Sequence, residues 1–174
     1  MRTMAKFKVM GKIKQALARP FEWVRNRCLC AQYPFWTCLR YDEAKKDWKP
    51  TYAYTWYESI PDGWRKAFGR ELSRDIKKAV RESLRQSGLR YCAKNARECV
   101  SIGDVKEKWG ELRIYASCPD SVDEVIERYG DRSRKTCIQC GKEAKFWTTG
   151  WVTPVCPLHA LHDSCEPMDP QEWK

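Results

Sequence analysis

A repeating hydrophobic pattern between residues 61 and 88 predicts a long amphipathic α-helix. Apolar residues recur there at the three- and four-residue spacing of a single helix face, namely Trp64, Phe68, Leu72, Ile76, Ala79, Val80 and Leu84. Pro61 suits the first turn of this helix, and Gly88 suits its C-terminal cap. The opposite face mixes Arg70, Lys78 and Arg81 with acidic residues, and we interpret it as a solvent-exposed face rather than a binding surface.

Alternating patterns predict two strand-containing segments. Residues 51–57 place aromatic side chains on alternate positions, which is the period of a strand. Residues 100–115 predict a β-hairpin around Trp109 and Gly110, with Leu112 and Ile114 on one face. Residues 31–50 show no clear period, and we interpret them as an irregular connection.

A second amphipathic helix is predicted from Ser121 onward. Ser121 and Glu124 have the spacing of a capping box, in which both side chains accept from backbone N–H groups at a helix start. Gly130 suits the end of this helix, and its inward side chains are Val122, Val125, Ile126 and Tyr129. Together these elements predict an α+β fold in which a small antiparallel sheet accompanies the long amphipathic helix.

The N-terminal segment is strongly basic, whereas the remainder of the chain is nearly neutral. Residues 1–40 contain nine Lys and Arg and one acidic residue, a net charge of +8, while residues 41–174 carry only +2. This asymmetry indicates a polyanionic partner, either nucleic acid or a membrane surface. The candidate nucleic-acid contacts in this arm are Lys6, Lys8, Lys12, Lys14, Arg19, Arg25 and Arg27.

Within the arm, apolar residues at helical spacing predict a basic amphipathic helix that Pro20 ends or kinks. These residues are Phe7, Met10, Ile13 and Leu17, and a short second helix is expected from Phe21, before Cys28. The apolar side of the arm can pack on the body of the protein, and its basic side can bind phosphates or a lipid surface. The chain has no run of about 20 apolar residues and no secretory pattern at its start, so we expect a cytoplasmic protein.

Two pairs of metal-ligating residues near the C-terminus predict one structural zinc ion. Cys137 and Cys140 are separated by two residues, as are Cys156 and His159, and 15 residues lie between the pairs. Gly141 supplies the permissive backbone that a knuckle turn needs. A hairpin over residues 145–153 and a helix beginning near Cys156 would give a treble-clef module, and a zinc ribbon is the competing arrangement.

Other ligand sets and reactions remain open alternatives at this stage. His162 or Cys165 can replace His159 as the fourth ligand, and clustered cysteines can instead form disulfides in an oxidising compartment. The remaining cysteines are interpreted mainly as buried reduced thiols: Cys28, Cys30, Cys38, Cys92, Cys99 and Cys118. Four protein ligands leave no open position for an activated water, so we expect a structural metal and no catalytic residues. A treble-clef nuclease is the lower alternative, because it would need a histidine beside the metal.

One segment resembles a group of small uncharacterised proteins encoded by bacteriophages and prophages. The residues that carry this resemblance are Lys106-Glu107-Lys108-Trp109-Gly110-Glu111-Leu112-Arg113, then Cys137-x2-Cys140-Gly141, then Gly150-Trp151 before Cys156. The resemblance covers about residues 100–160. It differs at Glu111, where a second glycine is usual, and at His159, where a cysteine is frequent. It implies a phage source and a zinc module but no reaction.

The sequence predicts three regions and a function by binding. The regions are a basic arm over residues 1–40, an α+β body over 41–132 and a zinc module over 133–174. We expect a non-enzymatic, zinc-stabilised protein that contacts nucleic acid through its arm, with Lys106, Lys108 and Arg113 as secondary contacts. The alternative is an inhibitor or adaptor that binds a host protein, possibly one of host defence. Membrane-surface attachment is a weaker alternative, and we expect no small-molecule substrate.

Overall fold

The computed structural model describes residues 21–161 and 164–169. The chain divides between Thr55 and Trp56 into two compact units, each with its own elements. Arg40 lies inside a strand that ends at Asp42, so the predicted end of the arm at residue 40 does not coincide with this division. The predicted arm helix over residues 1–20 lies outside the described residues.

The first unit contains a helix and a two-stranded sheet. Helix α1 covers residues 21–32 of the described chain, and a single 3-10 turn, Pro34–Trp36, follows it. Strands β1 (Thr37–Asp42) and β2 (Asp47–Thr55) then pair antiparallel. The predicted irregular connection over residues 31–50 is therefore wrong. Its aromatic and charged residues pair across a hairpin, so strand pairing forms where the local sequence shows no period.

The second unit is built around the long predicted helix. Its elements in chain order are a 3-10 turn (Trp56–Ser59), α2 (Asp62–Gln86), α3 (Ala93–Cys99), β3 (Ser101–Lys108), β4 (Glu111–Ser117), α4 (Asp120–Arg134), β5 (Phe146–Thr148), β6 (Pro154–Val155), α5 (Pro157–Ala160) and β7 (Cys165–Pro167). Strands β3 and β4 form one antiparallel hairpin, and β6, β5 and β7 form a three-stranded antiparallel sheet in that order. The α+β class predicted from the sequence is confirmed.

The core of this unit lies between α2, α4 and strand β4. The predicted apolar stripe of α2 is buried from Trp64 to Leu84, and α4 turns its predicted residues Val122 and Tyr129 inward. The rings of Phe68 and Tyr129 lie 5.5 Å apart between the two helices. Burial of these large side chains gives the main stabilisation, at roughly 1.5–3 kcal/mol for each fully buried one.

The start of α4 differs from the sequence prediction. The helix begins one residue earlier, at Asp120, after Pro119, and no side chain caps its first N–H groups. The capping box of Ser121 and Glu124 is therefore wrong, because both residues already lie inside the helix. Gly130 does not end the helix either, since α4 continues to Arg134. Its lack of a Cβ instead allows Glu111 and Leu112 to approach the helix closely. No helix in the described part of the chain has the length and apolar character needed to cross a membrane.

The turn between β3 and β4 has the geometry that its sequence predicts. Trp109 and Gly110 have φ values of 55° and 77°, which is the left-handed backbone of a type I′ hairpin turn. Leu112 and Ile114 are buried, as predicted, and Arg113 and Tyr115 are exposed on the other face.

Candidate metal centre

A tight turn presents the first two candidate ligands. The backbone N–H of Gly141 donates to the carbonyl oxygen of Cys137 at 2.9 Å, and the N–H of Cys137 donates to Lys142 at 2.7 Å. Gly141 has a φ of 83°, so its left-handed backbone allows the chain to reverse directly after Cys140. This is the knuckle that the Cys-x2-Cys spacing predicts.

A hairpin and a short helix bring the second pair to the knuckle. Strand β6 pairs with β5, and the carbonyl of Pro154 accepts from the N–H of Ile138 at 3.0 Å. Cys156 follows at the N-cap position of α5, and His159 lies in the first turn of that helix. The order of knuckle, hairpin and helix matches the predicted treble-clef arrangement.

The four candidate ligand atoms form a compact cluster. The Sγ atoms of Cys137, Cys140 and Cys156 and a ring nitrogen of His159 all lie within 4.8 Å of one another. His159 Nδ1 is 3.4 Å from Cys137 Sγ and 3.2 Å from Cys156 Sγ, and the Sγ atoms of Cys140 and Cys156 are 3.6 Å apart. A tetrahedral zinc site with Zn–S bonds of 2.3 Å has ligand atoms about 3.6–3.8 Å apart. The cluster can therefore hold a metal ion such as zinc.

The environment of Cys156 favours its thiolate form. Burial raises the pKa of this thiol, but N–H groups at the start of α5, including that of His159, and the neighbouring side chains of His159 and Cys140 outweigh burial and lower the pKa to about 6. Burial instead raises the pKa of the Cys140 thiol. The thiolate is the form that binds a metal, so Cys156 is prepared for metal binding near neutral pH.

The donor set is soft and partly shielded from solvent. Cys137 and Cys156 are 0% and 2% exposed, and Val155 lies with them in a small apolar cluster. Three thiolates and one imidazole are the ligand types of structural zinc sites. Cys165, on β7, packs against the same cluster, but the four converging ligand atoms do not include its Sγ. His162 lies outside the described residues.

Hydrogen bonds connect the knuckle to the first turn of α2. The N–H of Gly63 donates to the carbonyl of Ile138 at 2.9 Å, and the indole N–H of Trp64 donates to the carbonyl of Thr136 at 2.8 Å. A Cβ on Gly63 would lie 2.3 Å from the Cys137 carbonyl oxygen, so no other residue fits there without a backbone shift. Sequence reasoning missed this role of Gly63, although a glycine in the first turn of a strongly patterned helix is an available signal.

The other cysteines do not form a second metal cluster among the described residues. All ten are free thiols, with Cys30 and Cys38 buried and Cys28 and Cys92 exposed. Cys92 accepts from the N–H of Asn95 at the start of α3. Burial raises the pKa of Cys99 and of Cys118, which favours the protonated thiol at both positions.

The structure brings some of the predicted nucleic-acid contacts together. Lys106 and Arg113 are cross-strand partners, and both are exposed with Lys108 on one face of the β3–β4 hairpin. Lys106 binds Asp104 at 2.5 Å and Arg113 binds Glu111 at 2.8 Å, so acidic neighbours offset much of this positive charge.

The predicted contacts in the arm are only partly described. Arg25 and Arg27 are exposed on α1, and the guanidinium of Arg27 lies 5.2 Å from the ring centroid of Trp23. The remaining arm contacts lie outside the described residues: Lys6, Lys8, Lys12, Lys14 and Arg19.

Two exposed tryptophans meet between the two hairpins of the second unit. Trp109, in the β3–β4 turn, and Trp151, between β5 and β6, are 65% and 71% exposed and have nearly parallel rings 6.4 Å apart. Glu107 joins the same two turns, because it accepts from the N–H of Gly110 at 2.7 Å and from the indole N–H of Trp151 at 2.8 Å. The two separated parts of the motif described above therefore contact each other.

Comparisons with known proteins give no match to this chain among protein-family models, curated proteins or solved structures. The resemblance to the phage group therefore remains a prediction from the motif alone.

Proposed function

We propose that this protein is a zinc-stabilised, non-enzymatic binding protein whose main partner is nucleic acid. The observation that carries this proposal is the charge distribution, with +8 in residues 1–40 and only +2 in the rest. A basic arm of this kind displaces counterions from phosphates and gives binding with a steep salt dependence. We also propose, from the motif resemblance, that the protein is phage- or prophage-encoded and acts in the host cytoplasm.

A single zinc ion has a structural role in this proposal. Held by Cys137, Cys140, Cys156 and His159, it would cross-link the knuckle to the start of α5. Four protein ligands fill a tetrahedral coordination sphere, which favours a role in folding over activation of water. In this proposal the metal stabilises the region around the small β6–β5–β7 sheet, and the protein acts by binding a partner and not by catalysis.

The arm is tested by replacing its four lysines with glutamine in the full-length chain. Lys6, Lys8, Lys12 and Lys14 are the positions, and binding to mixed-sequence DNA and RNA is measured across a salt series. We expect the slope of log K against log salt to fall by about 3–4, since each lost phosphate contact removes roughly 0.7–0.9. Unchanged affinity and slope would reject the nucleic-acid assignment.

A host protein partner is the second candidate, and the exposed Trp109–Trp151 pair favours it. Tryptophan is enriched at the energetic centres of protein interfaces, and two stacked, exposed indoles are an unusual feature for a free surface. A complex of this kind resists salt concentrations that dissociate nucleic acid. Replacing Trp109 and Trp151 with alanine would abolish such a complex and leave salt-sensitive nucleic-acid binding in place.

A further inference from the structure

The solvent side of α2 carries basic side chains with no acidic side chain among them. At 3.6 residues per turn, seven basic residues of the helix fall within an arc of about 120°. They form what is called here the α2 basic face: Lys66, Arg70, Arg74, Lys77, Lys78, Arg81 and Arg85. The four acidic residues of α2 fall outside this arc. The sequence predicts a solvated face of mixed charge, whereas the helix has a basic arc with the acidic residues outside it.

Three of the four acidic residues of α2 form ion pairs with basic residues outside this face. Glu71 pairs with Arg132 and Asp75 pairs with Arg128, both on α4. Glu82 pairs with Arg85, which is the one member of the face held in an ion pair by a described acidic residue of α2. Among the residues that the structure describes, no ion pair involves the exposed members Lys66, Arg70, Arg74, Lys78 and Arg81.

Two members of the face are held close together in its middle. The Lys77 ammonium and the Arg81 guanidinium lie 5.6 Å and 5.0 Å from the ring centroid of Tyr91. Burial and the neighbouring charge of Arg81 lower the pKa of Lys77. The fold therefore tolerates repulsion between like charges at this position, and a bound anion would relieve that repulsion.

The geometry of the face selects among polyanions. Successive members are about 4.5–6 Å apart along the axis, except the adjacent Lys77 and Lys78, and Lys66 and Arg85 are about 28 Å apart. On this face α2 presents no large exposed apolar side chain to insert into lipid and no aromatic ring of its own. The half-buried ring of Tyr91 is covered by Lys77 and Arg81, which disfavours stacking with unpaired bases. A straight, purely cationic row matches duplex DNA, which is straight over this length and carries about one charge per 1.7 Å.

We propose that the α2 basic face binds the phosphate backbone of double-stranded DNA without reading its base sequence. This proposal rests on the proposed nucleic-acid function and adds a second contact surface to the arm. Lys and Arg contacts of this kind fix position on the duplex and carry no sequence information.

The test uses the full-length, zinc-loaded protein and a mixed-sequence duplex of about 20 base pairs. The variant is Arg70→Gln/Arg74→Gln/Lys78→Gln, which keeps residues with good helix propensity at exposed positions. The control is Lys45→Gln/Lys142→Gln/Lys145→Gln, which removes the same charge from exposed positions outside α2. Unchanged helical circular dichroism verifies that both variants are folded.

We expect the α2 variant to lose at least about tenfold in affinity at moderate salt and to lower the salt slope by about 2–3. The control should change the slope by less than about 1. Equal losses in the two variants would overturn the proposal, because net charge alone would then explain binding. A loss seen only with anionic vesicles, and not with DNA, would also overturn it.

The two proposals fail in different ways. If the wild-type chain binds neither DNA nor RNA at any salt concentration, the proposed function is wrong and this inference falls with it. If the wild type binds duplex DNA and the arm variant abolishes binding while the α2 variant does not weaken it, only the inference about α2 is wrong.

Discussion

Cys156 is the candidate ligand whose surroundings most strongly favour metal binding. It follows β6 directly, lies at the N-cap of α5 and is nearly fully buried. Its pKa of about 6 reflects N–H groups and side chains that outweigh the effect of burial. A thiolate at this position therefore needs little assistance from the metal to form.

Replacing Cys156 with serine should remove the metal, whereas replacing Cys165 should not. Loss of one of four ligands should weaken zinc binding by more than about a hundredfold, since outer-shell changes alone cost 10–100-fold. Zinc content after dialysis and the thiolate-to-metal absorption of a cobalt-loaded sample measure the effect. Cys165→Ser is the matched control, because this cysteine packs against the same cluster without joining it. Metal loss in both variants would assign Cys165 to the site.

Replacing Gly63 with alanine should destabilise the protein despite a favourable change in helix propensity. Alanine gains up to about 1 kcal/mol over glycine in a helix, but its Cβ would lie 2.3 Å from the Cys137 carbonyl oxygen. We expect a net loss of about 1–3 kcal/mol in urea unfolding, with weaker zinc retention. Gly103→Ala is the control, because its Cβ would meet only Tyr115 at 3.8 Å. Equal stability of the two variants would contradict the close contact.

For individual residues, the sequence predicts roles that depend on local spacing and misses roles that depend on contacts with residues far away in the chain. Cys137, Cys140, Cys156 and His159 are identified because ligand type and local spacing carry the signal. The role of Gly63 was not predicted, since it depends on a carbonyl 74 positions later in the chain. Regular spacing favours His159 over His162 and Cys165 as the fourth ligand. Among the described residues, His159 lies in the cluster and Cys165 does not, while His162 lies outside them.

Helices α2 and α4 are joined by a hydrogen bond as well as by apolar packing. The Tyr129 hydroxyl donates to Asp75 at 2.9 Å, beside the ion pair of Asp75 with Arg128. Burial and this hydrogen bond raise the pKa of Tyr129 to about 12.

The stabilising effect of Tyr129 should disappear at alkaline pH. Because the folded pKa is raised above the ordinary value of about 10, the contribution is full below pH 10 and is lost towards pH 12. We expect Tyr129→Phe to unfold about 1–3 kcal/mol more easily than wild type near pH 8. That difference should shrink between about pH 10 and 12 in urea unfolding measured at each pH. A constant difference across this range would mean that the hydroxyl contributes nothing through its hydrogen bond.

Elements with strong local signals are predicted well, and elements formed by long-range pairing are not. The boundaries of α2 and the Trp109–Gly110 turn follow from apolar period and turn chemistry. Strand β7 pairs with β5, although β6 and α5 lie between them in the chain. Its three residues are too few to show a periodic pattern of their own. The capping box failed because Pro119 starts α4 before Ser121 can cap it.

Removing the metal should unfold the C-terminal part of the second unit before the rest. The described residues between 137 and 167 include few large buried side chains besides Val155, whereas α2 and α4 share an extensive apolar core. After chelation we expect fast hydrogen exchange in residues 137–167 and in the Gly63 amide, with slow exchange retained near Ile76 and Val80. Mass spectrometry of exchanged fragments measures this. Uniformly fast exchange would show that both regions unfold as one cooperative unit.

Two regions of the chain carry a marked excess of positive charge. One is the arm of residues 1–40, which the charge count identifies. The other is the α2 basic face, which the sequence obscures because acidic residues are interspersed along the same helix. The helical period separates the two kinds of charge around α2, and the pairing of Glu71 and Asp75 with α4 holds two of the acidic side chains away from the basic face.

The contact between Trp109 and Trp151 has a practical consequence for following this protein in solution. Two nearly parallel indoles at 6.4 Å couple their electronic transitions, and they belong to hairpins that precede and follow α4 in the chain. Their near-ultraviolet circular dichroism would therefore report, without any added label, whether the two hairpins remain joined. The signal of this tryptophan pair can therefore be used to follow whether the contact between the two hairpins is intact.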